Sequence, residues 1–399
     1  MHPPRRAAGP DRSRHRRRGP TARLACLAIV GACTTEHDAS RALPPDDAPV
    51  VRVATFNIFE LGDAKLDARD SAGAPTDTQL VAAAEIIRTI RPEILLLNEI
   101  DAPPDDPARV ARRFARELLA TGADSIAYPY VYAAPSNTGE LSGFDLNRDG
   151  VVATSADLGT RAHGDDSWGY GTYPGQYGMA VLSRHPIDTL GVRTFRQFRW
   201  ADLPGAHLPD GWFPDSVRPL VRLSSKSHWD VPIVLGADTL HLLASHPTPP
   251  GFDGAEDRNG RRNFDEIGLW RHYLDGSDAI VDDGGRRGGL APTAAFVIAG
   301  DLNAAPTDTQ SRYDDRPAIA QLLTHARVTD PPVHQGRPTA FFRDSIRIDY
   351  VLPASFLRVL DGGVVWPTAA DDSAGEARAR RASDHRMVWL DLARPFRAR

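Results

Sequence analysis

Hydrophobic and polar positions divide the chain into strand-like and helix-like runs. Residues 51–61 (VRVATFNIFEL) alternate and are rich in β-branched and aromatic side chains, which predicts a strand ending near Asn57. Residues 77–92 (DTQLVAAAEIIRTIRP) place Leu80, Ala83, Ala84, Ile87 and Ile90 at helical spacing and stop at Pro92. Residues 93–101 (EILLLNEID) read as a continuous apolar strand closing on Asn98, Glu99 and Asp101. A second helix is expected over 107–121. The Gly- and Asp-rich stretch 135–176 reads as an irregular insertion. Residues 177–187 (YGMAVLSRHPI) predict a strand and turn, and residues 237–250 (ADTLHLLASHPTPP) a strand running into a Pro-rich loop. Asn263 with Glu266 has the spacing of a capping box, expected to open a helix reaching about residue 275. Three more strand-like runs follow: AFVIAGDLN (295–303), IRIDYVLP (346–353) and ASDHRMVWLDL (382–392).

A second pattern overlies the first. Where an apolar run ends, a side chain competent for metal or acid–base work stands at its end. This recurs at Asn57, Glu99, His246, Asp301 with Asn303, Asp349, and Asp384 with His385. Asp301 and Asn303 are two residues apart, so an extended chain points both to the same side. Strands packed side by side can bring such ends into one cleft, the usual site logic of layered α/β proteins.

The composition, 41% hydrophobic and 25% charged over 399 residues, is that of a globular chain long enough for one large domain or two ordinary ones. No apolar run reaches the ~20 residues of a membrane span, and no internal repeat is present. The first residues read differently. Arg16, Arg17, Arg18 and Arg23 precede the short apolar run LACLAIVGA (24–32) and then Cys33, the layout of an export signal. VGAC (30–33) also resembles a bacterial lipobox, in which the cysteine is lipidated and becomes the new N-terminus. The expected organisation is a signal peptide over 1–32, a lipidated Cys33 with a polar tether to 48, and one domain over 49–395. A plain secretory signal or a basic tail are the alternatives. Cys26 and Cys33 are the only cysteines, so the exported domain is expected to have neither a disulfide nor a thiolate metal site. Residues 1–32 carry eight Arg and one Asp, and their removal takes the net charge from −5 to −12. So acidic a domain gains little from the phosphate electrostatics that drive general nucleic-acid binding.

The stretches TFNI, LNEI, YGMAVLSR, ASHP, GDLNAAP, IDYVL and SDHRMV, in this order across residues 50–392, resemble the endonuclease/exonuclease/phosphatase superfamily. Each is weak alone; the seven in order are not. The resemblance implies an α/β fold, a four-layer sandwich of two mainly antiparallel sheets packed face to face with helices outside. It also implies roles. Glu99 is the metal-binding Glu, and a carboxylate is a hard oxygen ligand suited to Mg²⁺. Asn57 supports metal or phosphate, and Asp384 completes the metal shell. Asp301 orients or deprotonates the attacking water, and Asn303 donates to the phosphorus oxyanion. His385, its tautomer fixed by Asp349, and His246 supply a positive donor and a proton for the leaving oxygen. Taken singly, each has a plainer account: a solvated Glu, an Asx turn, a structural His. One departure stands out. Relatives of pancreatic deoxyribonuclease pair the first His with a Glu. The nearest candidate in this chain is Gln176, an amide that can orient His246 but cannot stabilise its cation.

Two local features add to this. Residues 145–157 (DLNRDGVVATSAD) resemble a calcium loop, with Asp145, Asn147, Asp149, the carbonyl of Val151 and, one place late, Asp157 as ligands of a structural Ca²⁺; an ordinary Asx turn is the alternative. Arg258, Arg261 and Arg262 follow the His246 loop, and Arg258 and Arg262 are candidate phosphate contacts at a helix N-terminus. The expected protein is an exported, lipid-anchored, Mg²⁺- or Mn²⁺-dependent phosphoric ester hydrolase acting on a phosphomonoester or small phosphodiester. An extracellular nuclease and a phospholipid phosphodiesterase are the alternatives, and a non-catalytic surface lipoprotein is the rival from another class. Nucleic acid is expected only as substrate, the membrane only through the lipid on Cys33, and the protein as a monomer.

Overall fold

Residues 49–396 are described by a computed structural model. The segment read as an export signal, Cys33 and the stretch read as a tether lie outside the described residues. Two large sheets carry the architecture. In chain order the strands are β1 (Val50–Leu61), β2 (Ile94–Ile100), β3 (Tyr130–Tyr132), β4 (Gly178–Ser183), β5 (Arg193–Thr194), β6 (His228–Leu235), β7 (Asp238–Ser245), β8 (Ala295–Asp301), β9 (Asp349–Pro353), β10 (Val359–Val364) and β11 (Val388–Ala393). The first sheet runs β10-β11-β1-β2-β4-β3 and the second β9-β8-β7-β6-β5. Pairing is antiparallel except β1 with β2 and β7 with β8. The main helices are α1 (Thr78–Ile90), α2 (Arg109–Phe114, continued by a π-turn over Ala115–Leu119), α3 (Arg258–Leu274) and α4 (Ala369–Ala382).

The layers follow from alternation within the strands. Val51 and Val53 of β1, with Ile94 and Leu96 of β2, join Val231, Leu242, Val297 and Val351 of the second sheet in one buried cluster. The intervening residues Ala54, Phe56, Leu95 and Leu97 belong to another, with Leu80, Ala83 and Ile87 of α1 and Phe114 of α2. The first sheet is thus packed on both faces, by helices and by the second sheet. On the far side, Phe264, Ile267 and Trp270 of α3 join the core of the second sheet. The result is the four-layer α/β sandwich expected from the resemblance. Among the described residues no helix is long and apolar enough to cross a membrane.

Local signals explain the boundaries. Asp77 caps α1 by accepting from the Leu80 N–H, and α1 closes on Arg91, in the left-handed region just before Pro92. Strand β1 reaches Leu61 rather than Asn57, but its pairing with β2 jumps between those two residues, and Phe59 and Glu60 take positive φ. Regular strand geometry therefore ends at Asn57, as the alternation suggests. The insertion 135–176 holds only a short 3₁₀ turn (Ser155–Asp157) and a short helix (Arg161–Asp165).

The capping box is a correction. Helix α3 starts at Arg258, so Asn263 and Glu266 lie inside it, both buried. The Glu266 carboxylate accepts from Ser225 N, Ser225 Oγ and Thr248 N. Asn263 Nδ2 donates to the carbonyls of Thr248 and Leu302. The spacing is that of a cap, but these partners are in loops distant in sequence, and that long-range bonding is what these polar side chains satisfy.

Candidate active site

The ends of strands from both sheets meet at one carboxylate oxygen. Asp301 closes β8, and its register partner across the ladder is Asp349, the first residue of β9. Asn57 and Asn98 are register partners in the first sheet. Asn98 Oδ1 accepts from the Asp301 N–H at 3.3 Å, which ties the two sheets together at this point. Asn57 Nδ2 donates to Glu99 Oε1 at 2.9 Å and to Asp301 Oδ2 at 3.0 Å. His246 Nε2 lies 3.5 Å from the same Asp301 oxygen, and His385 Nε2 lies 3.7 Å from it. His385 Nδ1 bonds Asp349 at 2.9 and 3.1 Å, which fixes its tautomer and ring plane. Glu99, His246 and Asp301 form one group whose ligand atoms lie within 4.8 Å of one another, and Asp301, Asp349 and His385 form a second.

Burial sets the charges. It raises the Glu99 pKa, which the Asn57 hydrogen bond partly offsets. Burial also lifts Asp301 to about 6, against the pull of the His385 charge. For His385 burial opposes the charge, but Asp349 and Asp301 outweigh it and push the imidazole up to about 10. His246 goes the other way: burial, then the nearby Lys226 and His385 charges, hold it neutral. Two histidines that look alike in the sequence are therefore one cation and one neutral base. Two carboxylates, the half-buried Glu99 and the buried Asp301, converge beside a neutral imidazole. This is a hard-oxygen and nitrogen donor set that a divalent cation fits.

Other expected residues fall in less simple places. Asn303 does not extend β8. It has a φ of 49°, and its N–H returns to Asp301 Oδ1, so the two-residue spacing is an Asx turn rather than strand alternation. Its side-chain amide donates to the Pro247 carbonyl, one of the two N–H bonds it can make. Asp384 stands outside both carboxylate–histidine groups. It neighbours Ser383, whose hydroxyl donates to the Asn57 carbonyl and accepts from the His385 N–H. Gln176 is turned away from His246: its carbonyl accepts from Thr172 N and Oγ1.

Arg258 pairs with Glu256 and stacks over Trp212. Arg262 donates to the carbonyls of Leu223, Trp168 and Arg222, so its first task is to hold loops. Both arginines still line the cleft beside Glu99. In the insertion, Asp145 accepts from the N–H groups of Asp149 and Gly150, Asn147 bonds Asp149, and the Val151 N–H donates to Asp149. Asp157 closes the adjoining turn by accepting from the Thr154 N–H.

The sequence reading missed Lys226. It is 6% exposed and lines the cleft next to Glu99 and His246. Burial lowers its pKa, while Glu266, Glu99 and Asp301 support its charge. A signal was available: of 47 basic residues only Lys65 and Lys226 are lysines.

Comparison with known proteins gives the same picture. Solved structures similar to this chain include an endonuclease/exonuclease/phosphatase from Beutenbergia cavernae DSM 12333 (22% identity, covering 86% of this chain and 72% of that one, TM-score 0.47). They also include TDP2 from Caenorhabditis elegans (14%, 86% and 74%, TM-score 0.42) and an AP endonuclease from Archaeoglobus fulgidus (13%, 85% and 98%, TM-score 0.44). No curated protein matches the chain. The model of the Endonuclease/Exonuclease/phosphatase family matches residues 54–385, a span that contains Asn57, Glu99, His246, Asp301, Asp349 and His385. The chain belongs to the endonuclease/exonuclease/phosphatase family.

Proposed function

We propose that this protein is a metal-dependent phosphoesterase that hydrolyses a phosphomonoester or small phosphodiester with water. The observation that carries the reading is the convergence of Asn57, His246 and His385 on Asp301 Oδ2, with Glu99 and Asp349 each one hydrogen bond further out. Glu99, His246 and Asp301 would hold a divalent cation, Mg²⁺ or Mn²⁺, with Asp384 as a further candidate. Bound there, such a cation supplies Lewis-acid polarisation of a phosphoryl oxygen.

The remaining steps belong to side chains of this chain. Asp301, with a pKa near neutrality, is suited to orient the attacking water and accept its proton. Asn57 holds Asp301 and Glu99 in place by donating to both. His385, kept protonated by Asp349, presents Nε2–H towards the same point and can stabilise charge on phosphorus or protonate the leaving oxygen. That assigns the cationic role to His385 and leaves His246 as a neutral partner. The second N–H of Asn303 is available for a phosphoryl oxygen. Export and lipidation at Cys33 remain part of the proposal on the sequence pattern alone.

Turnover of a phosphomonoester, a phosphodiester, plasmid DNA and sphingomyelin, with EDTA and with Mg²⁺ or Mn²⁺ restored, tests the reading. Asp301→Asn should lose at least ~10²-fold in kcat even at saturating Mn²⁺, the scale of a lost acid–base group. Glu99→Gln should instead raise the metal concentration needed for half-maximal rate. Full activity of Asp301→Asn on every substrate would refute the mechanism.

A further inference from the structure

The inner end of the cleft holds polar atoms that the hydrolytic steps leave unused. Lys226 is buried, and the one hydrogen bond of its ammonium among the described residues is a long 3.5 Å contact to the Pro247 carbonyl. An ammonium has three N–H groups to satisfy. The buried Thr248 Oγ1 has no partner among the described residues. Leaving such groups short of partners costs stability, most of all for a charge. Yet their backbone is held firmly. The Glu266 carboxylate accepts from Ser225, next to Lys226, with one oxygen and from the Thr248 N–H with the other. Asn263 takes the Thr248 carbonyl as well. Two loops are thus stapled so that Lys226 and Thr248 both line the cleft beside Glu99 and His246.

Outward from that end the cleft changes character. It has a volume of about 530 Å³, and Leu146, Trp168, Tyr170, Tyr177, Trp200 and Phe213 supply much of its wall. That is the size of a small-molecule pocket. Aromatic walls favour a planar ring, which can stack on them.

We propose that Lys226 and the Thr248 hydroxyl form an anionic-oxygen subsite beside the carboxylate cluster, and that the aromatic cleft holds the ring-bearing alcohol of a phosphate ester of about nucleotide size. The inference rests on the phosphoesterase reading and names its substrate class. Lys226 grips a non-bridging oxygen as a point charge, Thr248 donates its hydroxyl hydrogen, and the ring portion fills the cleft.

Inorganic phosphate, a product common to such monoesters, is the probe for the subsite. Its inhibition constant is measured with Mn²⁺ present for the wild type, Lys226→Met and Thr248→Val, and Mn²⁺ affinity is measured on the same proteins. Lys226→Met should weaken phosphate inhibition ~10-fold or more, the loss of one charge-assisted hydrogen bond, and Thr248→Val several-fold. Neither should weaken Mn²⁺ binding. Unchanged phosphate inhibition in both overturns the subsite. If Lys226→Met does not fold, Thr248→Val, which exchanges a hydroxyl for a methyl, decides alone. For the cleft, kcat/KM on a nucleoside monophosphate or an aryl phosphate should exceed that on glycerol phosphate by ~10-fold or more. No preference for the ring, or fastest turnover on duplex DNA, overturns that assignment. A wild type that turns over no phosphate ester refutes the phosphoesterase reading and this inference with it. An active wild type whose variants behave identically refutes this inference only.

Discussion

At the scale of single residues, the site shows how similar side chains acquire different chemistry. His246 and His385 both face Asp301 Oδ2. Only His385 has a carboxylate on its other nitrogen, while His246 Nδ1 is buried without a partner. Burial beside the Lys226 and His385 charges removes the His246 proton, and burial against Asp349 retains that of His385. Glu266 makes the same point for structure. It reads as a helix cap in sequence, but its two oxygens join loops that precede β6 and follow β7. Glu266→Gln keeps the shape and loses one acceptor oxygen, so a backbone N–H from Ser225 or Thr248 is left unpaired. Urea unfolding should report a loss of about 1–3 kcal/mol, the cost of one buried unsatisfied group. Activity should fall as well, because these loops position His246 and Lys226. Unchanged stability together with unchanged activity would show that Glu266 does not carry these loops.

At the scale of elements, the strand ends matter more than the strands. Glu99 takes a φ of 60° at the close of β2 and Asn303 a φ of 49° just beyond β8. Non-glycine residues in the left-handed region cluster where surrounding structure imposes the geometry, often at functional sites. Between them, Gly300 has a φ of 149°, and a Cβ placed there would stand 2.0 Å from the Ser245 carbonyl oxygen. Strand β7 approaches β8 so closely here because His246 must come within reach of Asp301. Gly300→Ala should therefore push the two strand ends apart. The expected result is a loss of stability of ~2–4 kcal/mol, with activity falling further than in a surface Gly→Ala control at Gly73, whose surroundings are open. Wild-type melting and turnover in Gly300→Ala would show that the close approach is dispensable.

At the scale of the whole molecule, the packed layers bury histidines far from the chemistry. Burial drives the pKa of His228, between Ser224 and the Glu266 carbonyl, down to about 4, and that of His334 to about 4 as well. An unfolded histidine titrates near 6.5. Between those values the unfolded chain binds more protons, so stability rises with pH. The contribution is fully present above about 6.5 and is lost as pH falls towards 4. Urea unfolding at pH 5 should give a lower free energy than at pH 7, by up to about 2 kcal/mol per histidine. The difference should shrink in His228→Gln, whose amide can still donate to the Glu266 carbonyl. An equal pH dependence in wild type and His228→Gln would show that His228 is not held neutral.

Much of this molecule was legible in its sequence, for physical reasons particular to each part. Alternation in β1 and helical spacing in 78–90 are local properties, and burial on a sheet or helix face writes them directly into residue order. The strand-end residues Asn57, Glu99, His246, Asp301, Asp349 and His385 were legible because each follows an apolar run and matches a family stretch. What local order does not encode is which distant groups surround a side chain. That tertiary arrangement alone decided that Asn303 turns back on Asp301, that Gln176 faces Thr172, and that Glu266 staples two loops. It also decided that Arg262 spends its donors on carbonyls. The same holds for Lys226, a single ammonium among serines in the sequence, which becomes a buried cation facing Glu99 only when the loop before β6 packs against the end of β7. Periodicity is set by neighbours along the chain. Charge state, hydrogen-bond partners and the shape of the cleft are set by neighbours across it, and only the folded chain brings those together.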